Sequence, residues 1–189
     1  MYTSYNSCTL PPLTLGCGAV PAIDGALYRY TSAYAGDATF LANRREQCAT
    51  WAANNVSAYC YRFNAQPYGN TIYSGVPHFQ EVAFVFDNEN GVGYPPIAPD
   101  PFTGKPQNFF DLAKLMSRSW ASFIHSGDPN AWTLGRYVGA PDWPLYGLGA
   151  AAQNMVWDAN VTGLAYPEPD TWRSEGIALI NELNIAYNR

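Results

Sequence analysis

Phe109, Leu112, Ala113, Met116, Trp120, Phe123 and Ile124 recur at three- and four-residue spacing, so their segment folds as an amphipathic helix whose aromatic stripe other elements must cover. Gly127 ends it. Such a stripe is core material rather than a cofactor box, and His125, just before that glycine, suits the negative end of the helix and reads as structural. Upstream, Tyr59, Tyr61 and Phe63 alternate with Ala58, Cys60 and Arg62, the period-two pattern of a strand over residues 57–64. Downstream, residues 154–157 predict a second, short strand. Asp37 is placed to cap a helix running to about Asn54, with Phe40, Leu41, Cys48, Trp51 and Ala52 inward and Arg44, Arg45 and Glu46 outward. Asp170 is placed to cap a final helix carrying Trp172, Ile177, Ile180 and Leu183. Helix, strand, helix, strand, helix is the order of the late portion of an α/β sheet protein, in which catalytic loops leave the strand ends. There is no internal repeat.

A chain of 189 residues with 48% hydrophobic content can build one sizeable core, and no segment has the apolar length of a transmembrane helix. Net charge is -5, Lys105 and Lys114 are the two lysines, and the arginines are scattered, so nucleic acid and anionic membranes are poor partners. Residues 1–27 read as an irregular Pro/Gly-rich lead-in. Residues 28–189 carry the periodic elements. Of the cysteines, Cys8 and Cys17 form the preferred disulfide, because a small covalent loop offsets missing packing in that opening segment. Cys48 on a helix and Cys60 on a strand are equally compatible with free buried thiols. The sequons Asn55-Val56-Ser57 and Asn160-Val161-Thr162 agree with glycosylation in an oxidising, secretory route. Residues 1–20 lack the basic and apolar regions of a signal peptide, so a secreted protein of this kind is expected to have a further front end.

Chemistry concentrates in Gly75-Val76-Pro77-His78-Phe79-Gln80-Glu81 and the apolar run at residues 82–86. Gly75 and Pro77 hold a tight loop ahead of the imidazole, and the run anchors that loop to the core. A fixed histidine of this kind is a candidate general base, which needs a hydroxyl or thiol on one side and a carboxylate on the other. The plain alternative is a structural or surface histidine. The chain has no G-x-S-x-G elbow, and Ser74, four residues from His78, reads as a polar loop serine. No run of glycines offers an oxyanion hole, and no second histidine completes a metalloprotease motif with Glu81. Glu81 reads as a structural hydrogen-bonding residue beside the loop. Asp87 and Glu89 come after it without an assigned role. No cofactor and no metal are implied.

The stretches Tyr59-Cys60-Tyr61-Arg62-Phe63-Asn64 and Gly75-Val76-Pro77-His78-Phe79-Gln80-Glu81-Val82-Ala83-Phe84-Val85-Phe86 resemble the histidine segment of the type-B carboxylesterase/lipase family, which includes cholinesterases and fungal lipases. Leu115-Met116-Ser117-Arg118-Ser119-Trp120-Ala121-Ser122-Phe123, Gly127-Asp128-Pro129-Asn130 and Trp143-Pro144-Leu145-Tyr146 are similar to its late helix and following turn. Glu168-Pro169-Asp170-Thr171-Trp172-Arg173-Ser174-Glu175-Gly176-Ile177 is similar to secreted fungal members. The resemblance runs from roughly Tyr28 to the end. It implies the C-terminal portion of an α/β-hydrolase fold, an incomplete sheet flanked by helices. It also implies that His78 is the base of a Ser-His-Glu/Asp triad acting on carboxylic esters. Phe79 departs from the glycine many members carry after the histidine, and is implied to shape the acyl or alcohol pocket.

In this family the serine elbow, the acid and the oxyanion loop precede the region matched. The chain is therefore expected to supply the histidine alone, to need the N-terminal part of the same fold as partner, and to be silent by itself. The rival reading is a non-catalytic binding or adhesion module on the same scaffold. A self-contained small domain is the weakest reading, since strands cut from a larger sheet leave an unpaired edge.

Overall fold

The computed structural model describes residues 18–132 and 134–186. The preferred disulfide partners, Cys8 and Cys17, lie outside the described residues. Helix α1 (Tyr28–Gly36) continues without a break through a π-turn (Asp37–Leu41) into α2 (Ala42–Ala53). The inward positions Arg29, Ala33 and Asp37 step by four residues, and the next, Ala42, comes five residues later. The Ala42 N–H donates to the Asp37 carbonyl, the five-residue reach of a π-turn. That extra residue corrects the expected faces. Phe40 and Trp51 are exposed, while Arg44 and Arg45 turn inward. Asp37 is no cap. Its carboxylate is fully buried and pairs with Arg173.

The sheet has the order β1-β2-β3, with β1 (Cys60–Phe63) parallel to β2 (Gln153–Trp157) and β3 (Ala165–Pro169) antiparallel to β2. In register, Cys60 faces Asn154 and Phe63 faces Trp157, while Trp157 faces Ala165 on the other side. The third strand is not foreseen from its sequence, because Pro167 and Pro169 argue against a strand. They are tolerated because β3 is an edge of the described sheet, where a missing N–H leaves no gap in the ladder.

Between β1 and β2 run a short helix, α3 (Val82–Val85), and the long helix α4 (Gln107–Ser126). Gly127 adopts a left-handed φ of 76° and donates to the Phe123 carbonyl, closing α4 at the expected residue. The inward stripe of α4, Phe109, Leu112, Ala113 and Met116, packs with Phe84 of α3, Phe63 of β1 and Met155 of β2. Trp120, Trp143 and Trp157 extend this core, Trp143 meeting Trp157 edge to face and Trp120 tilted against both, and the Trp143 indole N–H donates to the Cys60 carbonyl at 3.0 Å.

Cys48 and Cys60 are joined by a disulfide that ties α2 to β1 across a separation of 12 residues. They are therefore not free thiols. Closing a loop of this size contributes about 3 kcal/mol in the chain-entropy account. The final helix, α5 (Ser174–Ala186), lays Ile177 and Ile180 against Ala42.

Asp170 does not cap α5. It comes directly after β3 as the centre of a buried ionic cluster. Arg44 donates to both its carboxylate oxygens at 2.6 and 3.0 Å, Arg45 donates at 2.7 Å, the Tyr146 hydroxyl at 2.7 Å and the Asn154 amide at 3.0 Å. Burial alone pushes this carboxyl up, but the bonds and charges of Arg44 and Arg45 overrule it and hold it well below the usual carboxylate range. Burial and the bond to Asp170 push the Tyr146 hydroxyl up to about 12. Because the folded value of Asp170 lies below its ordinary 3.8, its stabilisation is complete above about pH 4 and drains away as the pH falls toward the folded value. Asp170→Asn should cost about 3 kcal/mol at neutral pH by leaving two arginines without their carboxylate, and should flatten the loss of stability on acidification below about pH 4. Urea unfolding at neutral and acid pH reads both effects; equal midpoints for variant and parent at pH 7 contradict the assignment.

Candidate functional site

β1 ends in the core, and the chain then crosses its C-terminal edge. Asn64 is buried, its backbone N–H donates to the Trp157 carbonyl at 2.8 Å, and its side chain donates to Asp158 at 2.7 Å. The C-terminal ends of the two parallel strands are thus clasped together, which is where an α/β sheet places its functional loops. Gln66 donates to the carbonyls of Asn70 and Thr71, shaping the next turn. Ser74 lies in that turn and donates its hydroxyl to the Thr71 carbonyl at 2.8 Å, consistent with a turn serine. Gly75 takes a φ of 68°, which its missing side chain permits at low cost. Val76 then returns to the core.

His78 stands between two buried anchors, Val76 before it and the Ala83 and Phe84 side chains of α3 after it. The imidazole itself is exposed. Phe40 stacks on it, with ring centroids 4.5 Å apart and planes 21° from parallel. Phe79 approaches edge-on at 6.3 Å. Among the described residues no hydrogen bond or ion pair engages the ring. The histidine is therefore held at its backbone and on one face, and open to solvent elsewhere. The described residues alone bring neither a hydroxyl nor a carboxylate to it, so they do not compose a finished catalytic site.

Glu81 lies half-buried at the start of α3 and accepts a hydrogen bond from the Tyr61 hydroxyl at 3.4 Å. Burial, and then the Glu81 charge, raise that hydroxyl well above its ordinary range. Glu89 pairs with Lys114 at 3.0 Å on the flank of α4. Desolvation, with the neighbouring Glu89 charge, raises the Asp87 carboxyl from its ordinary value. His125 is exposed in the last turn of α4. Among the described residues, no three His, Cys, Asp or Glu side chains are grouped to hold a metal ion, and no helix is long and apolar enough to cross a membrane. An open concavity of about 450 Å³ at the start of α1, lined by residues 24–28 with Thr31 and Ser32, contains no part of the histidine loop.

Of the two sequons, Asn55 is exposed past the end of α2. Asn160 is exposed as well, but its side-chain amide donates to Asp158 at 3.2 Å. The contributors that the sequence reading places elsewhere are Phe40, assigned to a buried face, and Asp170, assigned to a cap. A regular 3.6-residue period does not reveal a π-turn, and pattern alone does not pair Arg44 with an acid 126 residues away.

Residues 23–165 match the model of the carboxylesterase family, a span that takes in the helix from Tyr28, the histidine loop, α4 and β2. The chain belongs to the carboxylesterase family. It is 31% identical over 100 residues to an acetylcholinesterase from Gallus gallus, a match covering 51% of this chain and 11% of that relative. The match thus spans about a tenth of the length of that relative. The carboxylesterase family has the α/β-hydrolase fold, and the mixed three-stranded sheet with its helices is consistent with part of such a domain.

Phe79 has a φ of 78°, the left-handed region that costs a residue with a side chain about 1–2 kcal/mol. That backbone accounts for why a glycine suits this position. The Phe79 ring is 56% exposed, so little packing opposes its removal. Glycine loses about 0.5–1 kcal/mol more chain entropy on folding, which offsets part of the relief. Phe79→Gly is expected to keep or raise the urea midpoint, and a clear drop would show that contacts of the ring, rather than the backbone, govern this residue.

Proposed function

We propose that this chain supplies the general base of a carboxylic ester hydrolase, with His78 serving a serine that lies outside the described residues. The observation that carries the reading is the combination of carboxylesterase membership with a histidine loop pinned on both sides, at Val76 and Phe84, and open where a nucleophile could approach. In such a site the imidazole takes the serine proton as the hydroxyl attacks the ester carbonyl. It returns that proton to the leaving alcohol, then deprotonates the water that releases the acid from the acyl-enzyme. The serine, the acid that orients the imidazole and the oxyanion donors belong to the N-terminal part of the same fold, and the substrate is a carboxylic ester. Exposed Phe79 and Phe40 beside the base favour an apolar acyl or alcohol group.

Passage through an oxidising, secretory compartment belongs to the same reading. It is supported by the Cys48–Cys60 disulfide and by exposed Asn55 in its sequon.

The second reading is a non-catalytic binding module on the carboxylesterase scaffold. It is favoured by the solvent-exposed ring of His78 and the lack of a polar partner for it among the described residues.

Serine-directed phosphonate labelling of the assembled protein, recovered from culture medium with and without glycosidase treatment, separates the two. A hydrolase gives a stoichiometric adduct on one serine, and His78→Gln lowers kcat by about 10⁴-fold or more. The present chain by itself gives no turnover of short-chain nitrophenyl esters. Absence of adduct in the assembled protein selects the binding module, and turnover by this chain alone overturns the proposed division of the triad. A protein that is not exported, or whose mass glycosidase treatment leaves unchanged, removes the compartment and glycan half of the reading.

A further inference from the structure

An imidazole without a hydrogen-bonded partner rotates broadly about its ring torsion, because that torsion has no sharp staggered wells. A base must nevertheless meet its serine in one plane. Among the described residues, the one surface lying flat against His78 is the ring of Phe40, at 4.5 Å and 21°. Phe40 reaches it through a local irregularity. After Arg29, Ala33 and Asp37, a regular helix would carry positions 40 and 41 onto the inward face three and four residues on. The π-turn inserts one residue, gives the inward place to Ala42 and leaves Phe40 44% exposed, facing the histidine loop. Both ends of that turn are fixed in the core. Asp37 is buried against Arg173, and Ala42 is buried against Ile177 and Ile180 of α5. Single π-turns inside α-helices occur frequently at functional sites, and here the consequence is an aromatic face presented to the imidazole.

We propose that Phe40 is the positioning residue of His78: turned out of its helix by the π-turn, its ring covers one face of the imidazole and sets its plane, leaving the nitrogen-bearing edge free to meet a nucleophile. An aromatic face also attracts a cation, so the contact strengthens when the imidazole takes up a proton. The catalytic consequence rests on His78 acting as base, whereas the contact itself can be measured without any turnover.

His78 and His125 are the two histidines of the chain, so their ring-proton NMR signals are separable, and exposed His125 serves as internal reference. In the full chain, stacking on Phe40 should displace the His78 signals upfield of those of His125 and give cross-relaxation between the Phe40 and His78 rings. Phe40→Leu should abolish the displacement and leave His125 unmoved, and Phe40→Tyr should restore it. His78 signals that coincide with those of an exposed imidazole, or that Phe40→Leu leaves in place, overturn the proposal. Should Phe40→Leu fail to fold, the cross-relaxation in the parent and the signals of Phe40→Tyr decide the matter by themselves. A stacked His78 in a protein that takes no phosphonate would instead refute the hydrolase reading while leaving the contact established.

Discussion

The buried Asp170 carboxylate is the constraint on which the rest of the arrangement depends. It gathers Arg44 and Arg45 from α2, Asn154 from β2 and Tyr146 from the segment that pairs with the approach to β1. Burying one charge without partners is costly, whereas here each carboxylate oxygen accepts more than one hydrogen bond from groups that are themselves mostly buried. The cluster fixes α2 relative to the sheet. The Cys48–Cys60 disulfide fixes the same helix to the neighbouring strand, and Asp37 with Arg173 secures its π-turn. Three independent attachments therefore determine where Phe40 stands.

The histidine loop is determined from the other side. It leaves the C-terminal end of β1, where Asn64 bridges to Trp157 and Asp158 of β2, and it re-enters the core at Val76 and again at Phe84. His78 and Phe79 stay outside. Helix and loop meet at the face of the imidazole, so two separately anchored parts of the chain converge on one ring.

Where local pattern dictates structure, the sequence reading and the structure agree. The α4 stripe from Phe109 to Met116, its stop at Gly127 and the strands around Tyr61 and Met155 result from periodicity and from a left-handed glycine, both local properties, whereas Phe123 and Ile124 at the end of the expected stripe are exposed. The failures share a different cause. Arg44 and Arg45 read as solvent-facing because their acid lies 126 and 125 residues away. Asp37 and Asp170 have the chemistry of helix caps, but buried ion pairs claim both. A 3.6-residue count assigns Phe40 and Trp51 to the core, and the π-turn displaces that count; β3 is hidden by prolines that an edge strand accepts. The histidine motif is legible as a loop of chemical interest. The aromatic contact between Phe40 and His78 depends on the tertiary fold.

The central claim is that His78 is a base whose serine comes from outside the described residues, and the most direct measurement is a crystal structure of the assembled, phosphonate-labelled protein. The account predicts the His78 Nε2 within hydrogen-bond reach, about 2.6–3.2 Å, of an oxygen on the modified serine or its adduct, with Phe40 still covering one face of the ring. An assembled protein in which the His78 ring remains in bulk water, or in which another histidine stands beside the labelled serine, contradicts it.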